Sequence, residues 1–206
     1  MTSLRRFAAL RGERRGQSLV EFAVILPFLM LLILGAIEFG FAFGHHLTLE
    51  YASREGARVG AALVNGGGDL GCAAGQSPNR NEVDVRIVAA VERVLASSGS
   101  PVDLSEVSEI RIFKADGTGH QVGGYANVWT YTPGAGPSVD GSPLDFSPPS
   151  SVPWPACARN NLQPADSIGV SIGYTYKLQT PFLSLTGVAS LPMSDRTVMA
   201  LNPTSQ

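Results

Sequence analysis

Two carboxylates lie in or against a long apolar stretch, and their placement is the first chemical feature of the chain. Glu21 stands at the start of the stretch and Glu38 interrupts it, while Phe22 to Ile37 between them carries no charge. An acid in such a position is costly unless it stays at a membrane–water interface or finds a partner. Glu38 comes sixteen residues after Phe22, about 24 Å along a helix. That places it near the far interface, within reach of water, where only assembly with another chain would bury it. Gly16 directly follows Arg14 and Arg15, and Glu21 is the fifth residue after it.

Other reactive residues form no constellation. His46 and Glu50 are one helical turn apart, which is half a metal site, and His120 is alone in a Gly-rich loop. His45 and His46 read as residues of the outer membrane–water interface. The chain has no P-loop, no Gly-x-Ser-x-Gly, no Cys-x-x-Cys and no His-Glu-x-x-His, the spacings that phosphate, acyl-transfer, redox and zinc chemistry require. The expectation is a protein without cofactor, bound metal or enzymatic activity.

The elements that hold the two acids come next. Phe22 to Gly44 is 23 residues with one acid among them, about 34 Å of helix against a bilayer core of about 30 Å. Pro27 falls inside it, which a membrane helix tolerates. Residues 45–64 are about half apolar and continue the helix, so that 17–64 as one helix would measure about 72 Å. Glu50 and Arg54 form a favourable i,i+4 pair, whereas Arg54 and Arg58 repel. Ala36, Gly40, Gly44, Thr48, Ala52, Gly56 and Gly60 make a row of small residues spaced by four. Such a row lets helices approach closely, and Gly40 and Gly44 are its candidates for contact with neighbouring subunits. The row drifts around the helix, so chance composition is the alternative.

Residues 65–81 read as a Gly-rich loop and 82–97 as a second helix, with Val83, Ile87, Val88, Val91, Val94 and Leu95 on one face. Strands are expected at 107–114, 125–132, 167–177 and, more weakly, 197–201. In the clearest of them Ile168, Val170, Ile172, Tyr174 and Tyr176 share one face. Residues 133–155 contain seven prolines and read as a surface loop, ordered or not. The fold class is therefore α+β: a long N-terminal helix running into a head with a second helix and a small antiparallel sheet. Its three parts are a leader (1–16), the helix (17–64, with 22–44 spanning the membrane) and the head (65–206).

Charge fixes a direction. The net charge of −2 conceals a leader with five arginines against one acid, followed by 10 basic against 16 acidic residues in the remainder. By the positive-inside rule the leader stays in the cytoplasm and the head is exported from the inner membrane. A mildly acidic head lacks the basic footprint of nucleic-acid binding, so no nucleic-acid partner is expected. The two cysteines, Cys72 and Cys157, then sit on the exported side. An even pair there reads as a disulfide. It would close about 86 residues and contribute up to about 4–5 kcal/mol by chain entropy. Two free thiols are the alternative.

Gly16, four residues and Glu21, placed between an Arg pair and an apolar run, resemble the type IV prepilin processing site, where a membrane peptidase cuts after the Gly. More of the segment is similar to one family. Gln17-Ser-Leu-Val-Glu-Phe-Ala-Val-Ile-Leu-Pro-Phe28, then Ile37-Glu-Phe-Gly40, then Ala52-Ser-Arg-Glu-Gly-Ala-Arg58 resemble the TadE/TadG-like family, minor pseudopilins of the tight-adherence (Tad) pilus system. The resemblance is close over roughly 16–64 and holds only in outline beyond. In it Glu21-Phe22 matches the processing pair, Pro27 the proline that follows, Glu38 the acid near the far end and Arg58 the basic residue after the Ala-rich patch.

The resemblance implies cleavage after Gly16 by a prepilin peptidase. The new α-amino group of Gln17 would be cationic near neutral pH and could pair with Glu21, usually that of a neighbouring subunit. It also implies pilins, pseudopilins and Tad assembly membrane proteins as partners. Three classes of function follow: an assembly subunit of a Tad-type pilus, an unprocessed single-pass ectodomain that binds an envelope or surface partner, and an enzyme on a membrane stalk, for which no motif speaks. Ordinary signal-peptide cleavage near Ala42-Phe43-Gly44 is opposed by the length of the apolar run and by Glu38.

Overall fold

The computed structural model describes residues 14–63, 82–180, 187 and 189–201. Its class is α+β, with two helices, α1 (Arg14–Ala62) and α2 (Val83–Leu95), and an antiparallel sheet. The strands are β1 (Val107–Ala115), β2 (Gln121–Tyr131), β3 (Ser138–Val139), β4 (Ser142–Pro143), β5 (Phe146–Ser147), β6 (Ser167–Lys177) and β7 (Ser190–Ala200). Helix α1 is continuous over 49 residues and carries Pro27 within it. It begins at Arg14, inside the segment expected as a leader, and ends at Ala62.

The chain divides into two compact units. One comprises Met1–Phe41 with Leu178–Ala189, the other Ala42–Lys177 with Ser190–Gln206. The second half of α1 thus belongs to the head, because its side chains are part of the head's core. His45, Leu49, Ala52, Ser53, Gly56, Ala57, Gly60 and Ala61 form a buried stripe at the three-and-four spacing of one helix face.

In the head unit α2 buries Val83, Ile87, Val88, Val91 and Leu95 of the face that its periodicity predicts, leaves Val94 half-buried, and buries Ala89 and Ala90 in addition. Five strands form the sheet in the order β5-β2-β1-β6-β7. Ile110 pairs with Ile172 and Ile112 with Val170 across β1 and β6. These four, with Ile168 and Tyr176, are fully buried; burying such side chains contributes about 1.5–3 kcal/mol each. On the opposite face Phe113 lies over its cross-strand partner Gly169, where a Cβ would stand 2.2 Å from the Phe113 ring. Only glycine admits that ring. The last strand is longer than expected, Ser190–Ala200 rather than 197–201, and pairs along the whole of β6 from Ser167↔Ala200 to Lys177↔Ser190.

The Pro-rich segment is ordered by its own contacts. It contains the β3–β4 hairpin and β5, and it buries Leu144, Phe146 and Trp154. Asn127 of β2 donates to the Trp154 carbonyl at 2.8 Å and to Asp84 Oδ2 at 2.7 Å, and it accepts from the Trp154 amide at 3.0 Å. Arg159, 2% exposed, donates to Asp84 Oδ1 at 2.6 Å and stacks 4.6 Å from the Trp154 ring centroid. A buried guanidinium is tolerable only when paired and hydrogen-bonded, and Asp84 on α2 supplies that pairing. The segment is thereby tied to both α2 and β2.

Candidate functional site

The N-terminal end of α1 carries Gly16, Gln17, Glu21 and Phe22 in successive turns. Gln17 Nε2 donates to Glu21 Oε1 at 3.1 Å across one helical turn, on the exposed surface. Phe22 is 58% exposed, and a Cβ on Gly16 would meet nothing within 4 Å. The side chains from Leu19 to Ile33 are largely exposed, all apolar apart from Glu21. This is the one helix among the described residues that is long and apolar enough to cross a membrane. Glu21 therefore already has a neutral hydrogen-bond partner one turn away.

Glu38 departs from expectation. It is 4% exposed within the isolated chain, although assembly alone was expected to bury it. Its Oε1 accepts from the Gln179 amide at 2.9 Å and its Oε2 from the Thr180 amide at 2.8 Å. All three residues belong to the unit formed by Met1–Phe41 and Leu178–Ala189. The carboxylate clamps the start of the connection that follows β6, and Leu178 N closes the base of that connection on Ala189 O at 3.2 Å. Each oxygen thus receives a charge-assisted backbone bond, of the kind worth about 1.5–3 kcal/mol, which offsets the cost of removing the charge from water. Sequence reasoning missed Gln179 and Thr180 because the partners are 141 and 142 residues away and offer backbone groups that any residue carries.

The row of small residues divides in two. A Cβ on Gly56 would lie 2.6 Å from Val91 Cγ2, and one on Gly60 2.7 Å from Ile168 Cδ1. These glycines admit α2 and β6 to the helix within the same chain. Gly40 and Gly44 would meet nothing within 4 Å. Between the two groups Thr48 Oγ1 donates to Gly44 O at 3.2 Å.

The helix also carries a polar link to β7 that the sequence did not disclose. Ser53, fully buried, donates through Oγ to Asp195 Oδ2 and lies 2.9 Å from Thr197 Oγ1. Alternation places Asp195 and Thr197 on one face of β7, which is a legible signal only once β7 is known to begin at Ser190.

Histidine and cysteine positions complete the set. His45 is buried within the head, with its ring 4.9 Å from that of Tyr176 and 5.7 Å from that of Tyr174. Glu50 pairs with Arg54, as its spacing predicts, and Arg58 donates to Glu55 at 2.6 and 2.8 Å. That pair lowers the Glu55 pKa, chiefly through the hydrogen bond from Arg58. No group of three or more His, Cys, Asp or Glu that could hold a metal occurs among the described residues. Cys157 is half-buried on the short 3-10 turn Ala156–Ala158, and among the described residues no cysteine is free. Cys72 lies outside the described residues.

No curated protein and no solved structure matches the chain. A family model does match, and it covers the segment that carries Gly16, Glu21, Glu38 and Arg58. Over residues 16–58, the apolar helix and its continuation into the head, the chain matches the family described as TadE-like protein.

Proposed function

We propose that the protein is a minor pseudopilin-like assembly subunit of a Tad-type pilus, cut after Gly16 by a prepilin peptidase. It is a structural protein, not an enzyme. The observation that carries this reading is the Gly16-to-Glu21 pattern at the start of an exposed apolar helix, within the segment that matches the TadE-like family. The leader stays in the cytoplasm, the helix anchors the chain in the inner membrane, and the head faces outward. Its partners are the peptidase, pilins or other pseudopilins and the Tad assembly membrane proteins. Gly40 and Gly44, open on the helix surface, are the positions at which a neighbouring helix approaches. Cys72 and Cys157 form a disulfide that ties the Gly-rich segment to the Ala156–Ala158 turn.

The bond after Gly16 lies in the first turns of α1, so the peptidase has to unwind that end before cutting. Gly16 eases the step, having the lowest helix propensity after proline. An uncut single-pass ectodomain is the second reading. The exposed Gln17–Glu21 bond favours it, since it supplies Glu21 with a partner without any processing.

Intact mass and N-terminal sequencing of membrane and sheared fractions, from cells with a complete Tad system, separate the two. The pseudopilin begins at Gln17, Gly16→Leu stays inserted and uncut, and Glu21→Gln is cut but poorly incorporated. A wild-type chain that begins at Met1, or is cut near Gly44, refutes the processing reading.

A further inference from the structure

Where the Pro-rich segment meets α2 and β2, the head unit has a cleft of about 570 Å³, within the range of about 300–1,000 Å³ typical of ligand sites. Its walls come from three places: Val85 of α2, Trp129 of β2, and Pro137, Pro148, Pro149 and Pro155 of the Pro-rich segment. Each proline ring fixes its own backbone φ. The bonds between Asn127 and the Trp154 main chain hold the segment to β2. The walls are thus set before anything enters.

The lining specifies what the cleft takes. Trp129 is 2% exposed, and its indole Nε1–H has no hydrogen-bond partner. A Trp N–H ordinarily finds an acceptor when buried, because leaving the donor unpaired is costly. Asp84 is the one charged residue of the described lining. Both of its oxygens are engaged within the chain, Oδ1 by Arg159 at 2.6 Å and Oδ2 by Asn127 at 2.7 Å. A charge on the ligand would enter without a free counter-charge, which burial penalises. Val152, 51% exposed, and the exposed Pro148 and Pro155 leave one side of the cleft open to solvent. That shape admits a length of extended chain.

We propose that this cleft binds an extended, uncharged, proline-rich segment of a partner protein, with one of its carbonyls accepting from Trp129 Nε1–H. Proline brings carbonyls and apolar ring surface but no N–H, so burying it against these walls strands no donor. A polyproline segment is also ordered before it binds, which is why such segments dock in aromatic-lined grooves at low entropic cost. Trp129 supplies the hydrogen bond and Val152 flanks the mouth. The inference adds a recognition surface to the assembly reading and does not rest on it: neither cleavage after Gly16 nor a pilus is needed for the cleft to bind.

The test uses the full chain in detergent micelles, isotope-labelled at the tryptophan nitrogens. The chain has two tryptophans, and Trp129→Phe tells their indole signals apart. Trp154, whose Nε1 is likewise unpartnered but which does not line the cleft, is the internal control. Titration with acetyl-hexaproline amide should move the Trp129 indole proton downfield and saturate, with a much smaller change at Trp154. N-acetylproline amide should bind several-fold more weakly, and an uncharged Gly-Ser peptide of the same length should give no shift. By calorimetry, Trp129→Phe, which keeps a ring and loses the donor, should weaken hexaproline binding several-fold. Val152→Arg, a change at an exposed position, should do the same with an unaltered melting temperature, and it carries the test if Trp129→Phe fails to fold. No saturable shift at Trp129, an equal response to the Gly-Ser peptide, or unchanged binding in Val152→Arg overturns the inference. Binding of the single proline unit as tight as that of hexaproline also overturns it, in favour of a small-molecule site.

Discussion

Removing the Glu38 carboxylate is the perturbation with the clearest energetic consequence. In Glu38→Ala two amides, those of Gln179 and Thr180, lose acceptors at 2.9 and 2.8 Å. An unsatisfied buried donor costs about 1–3 kcal/mol, so the clamp should weaken by about 2–6 kcal/mol if both amides stay dry and by less if water reaches them. Glu38→Gln keeps one acceptor and turns an NH2 group towards the other amide, so about 1–3 kcal/mol is expected. The effect is local: it opens the connection after β6 without unfolding β6, whose pairing with β1 and β7 is independent of Glu38. Hydrogen exchange of the protein in nanodiscs reads this directly. A loss of about 2 kcal/mol makes the open state about 30-fold more populated. The Gln179 and Thr180 amides should then exchange correspondingly faster in Glu38→Ala, and less so in Glu38→Gln, while Ile172 and Val170 keep their protection. Equal exchange at both amides in wild type and Glu38→Ala would refute the clamp.

Two further outcomes follow from packing and from burial of charge. Gly56→Ala places a Cβ against Val91 and Val170 and should cost about 1–3 kcal/mol of overpacking, whereas Gly44→Ala meets open space and gains up to about 1 kcal/mol of helix propensity. Thermal melts should therefore move in opposite directions, by about 2–4 °C per kcal/mol, and a lower melting temperature for Gly44→Ala would count against the open position of Gly44. Burial raises the pKa of half-buried Glu92, opposed in part by the hydrogen bond that its Oε2 accepts from the Asp145 amide at 3.0 Å. A carboxyl whose folded pKa lies above its unfolded value favours folding below the unfolded value and loses that contribution as pH rises through the folded one. Glu92→Gln, which keeps an acceptor for Asp145, should match or exceed wild-type stability at pH 7 in urea titrations and lose that advantage near pH 3.5; a deficit at pH 7 that closes on acidification would contradict it.

The local patterns of the chain were sufficient for much of the fold. The charge-free run from Phe22 to Ile37 specifies an apolar helix, because nothing but a helix of that length satisfies its backbone in lipid. The alternation from Ile168 to Tyr176 specifies a strand with one buried face, and β6 has the predicted bounds. Both signals are periodic and short-ranged, so they survive without knowledge of the partner. β7 was legible only at its end, because as the sheet's edge strand it is mostly exposed and its Ser190–Ala200 sequence carries Pro192 and weak alternation.

What the tertiary structure alone decided is which of several equivalent residues face inward. The sequence presents Gly40, Gly44, Gly56 and Gly60 as one row, yet α2 and β6 press on Gly56 and Gly60 and leave Gly40 and Gly44 open. It presents Glu38 as an acid near an interface, yet two backbone amides from a segment more than 140 residues later bury it. Arg159, Asp84 and Asn127 look like unrelated surface residues until Asn127 and Arg159 both donate to Asp84 and to the Trp154 carbonyl. The reason is common to all three cases. Helix and strand periodicity comes from geometry within one segment, whereas the burial of a charge or the closeness of a contact depends on what another segment places there, and that appears in no local pattern.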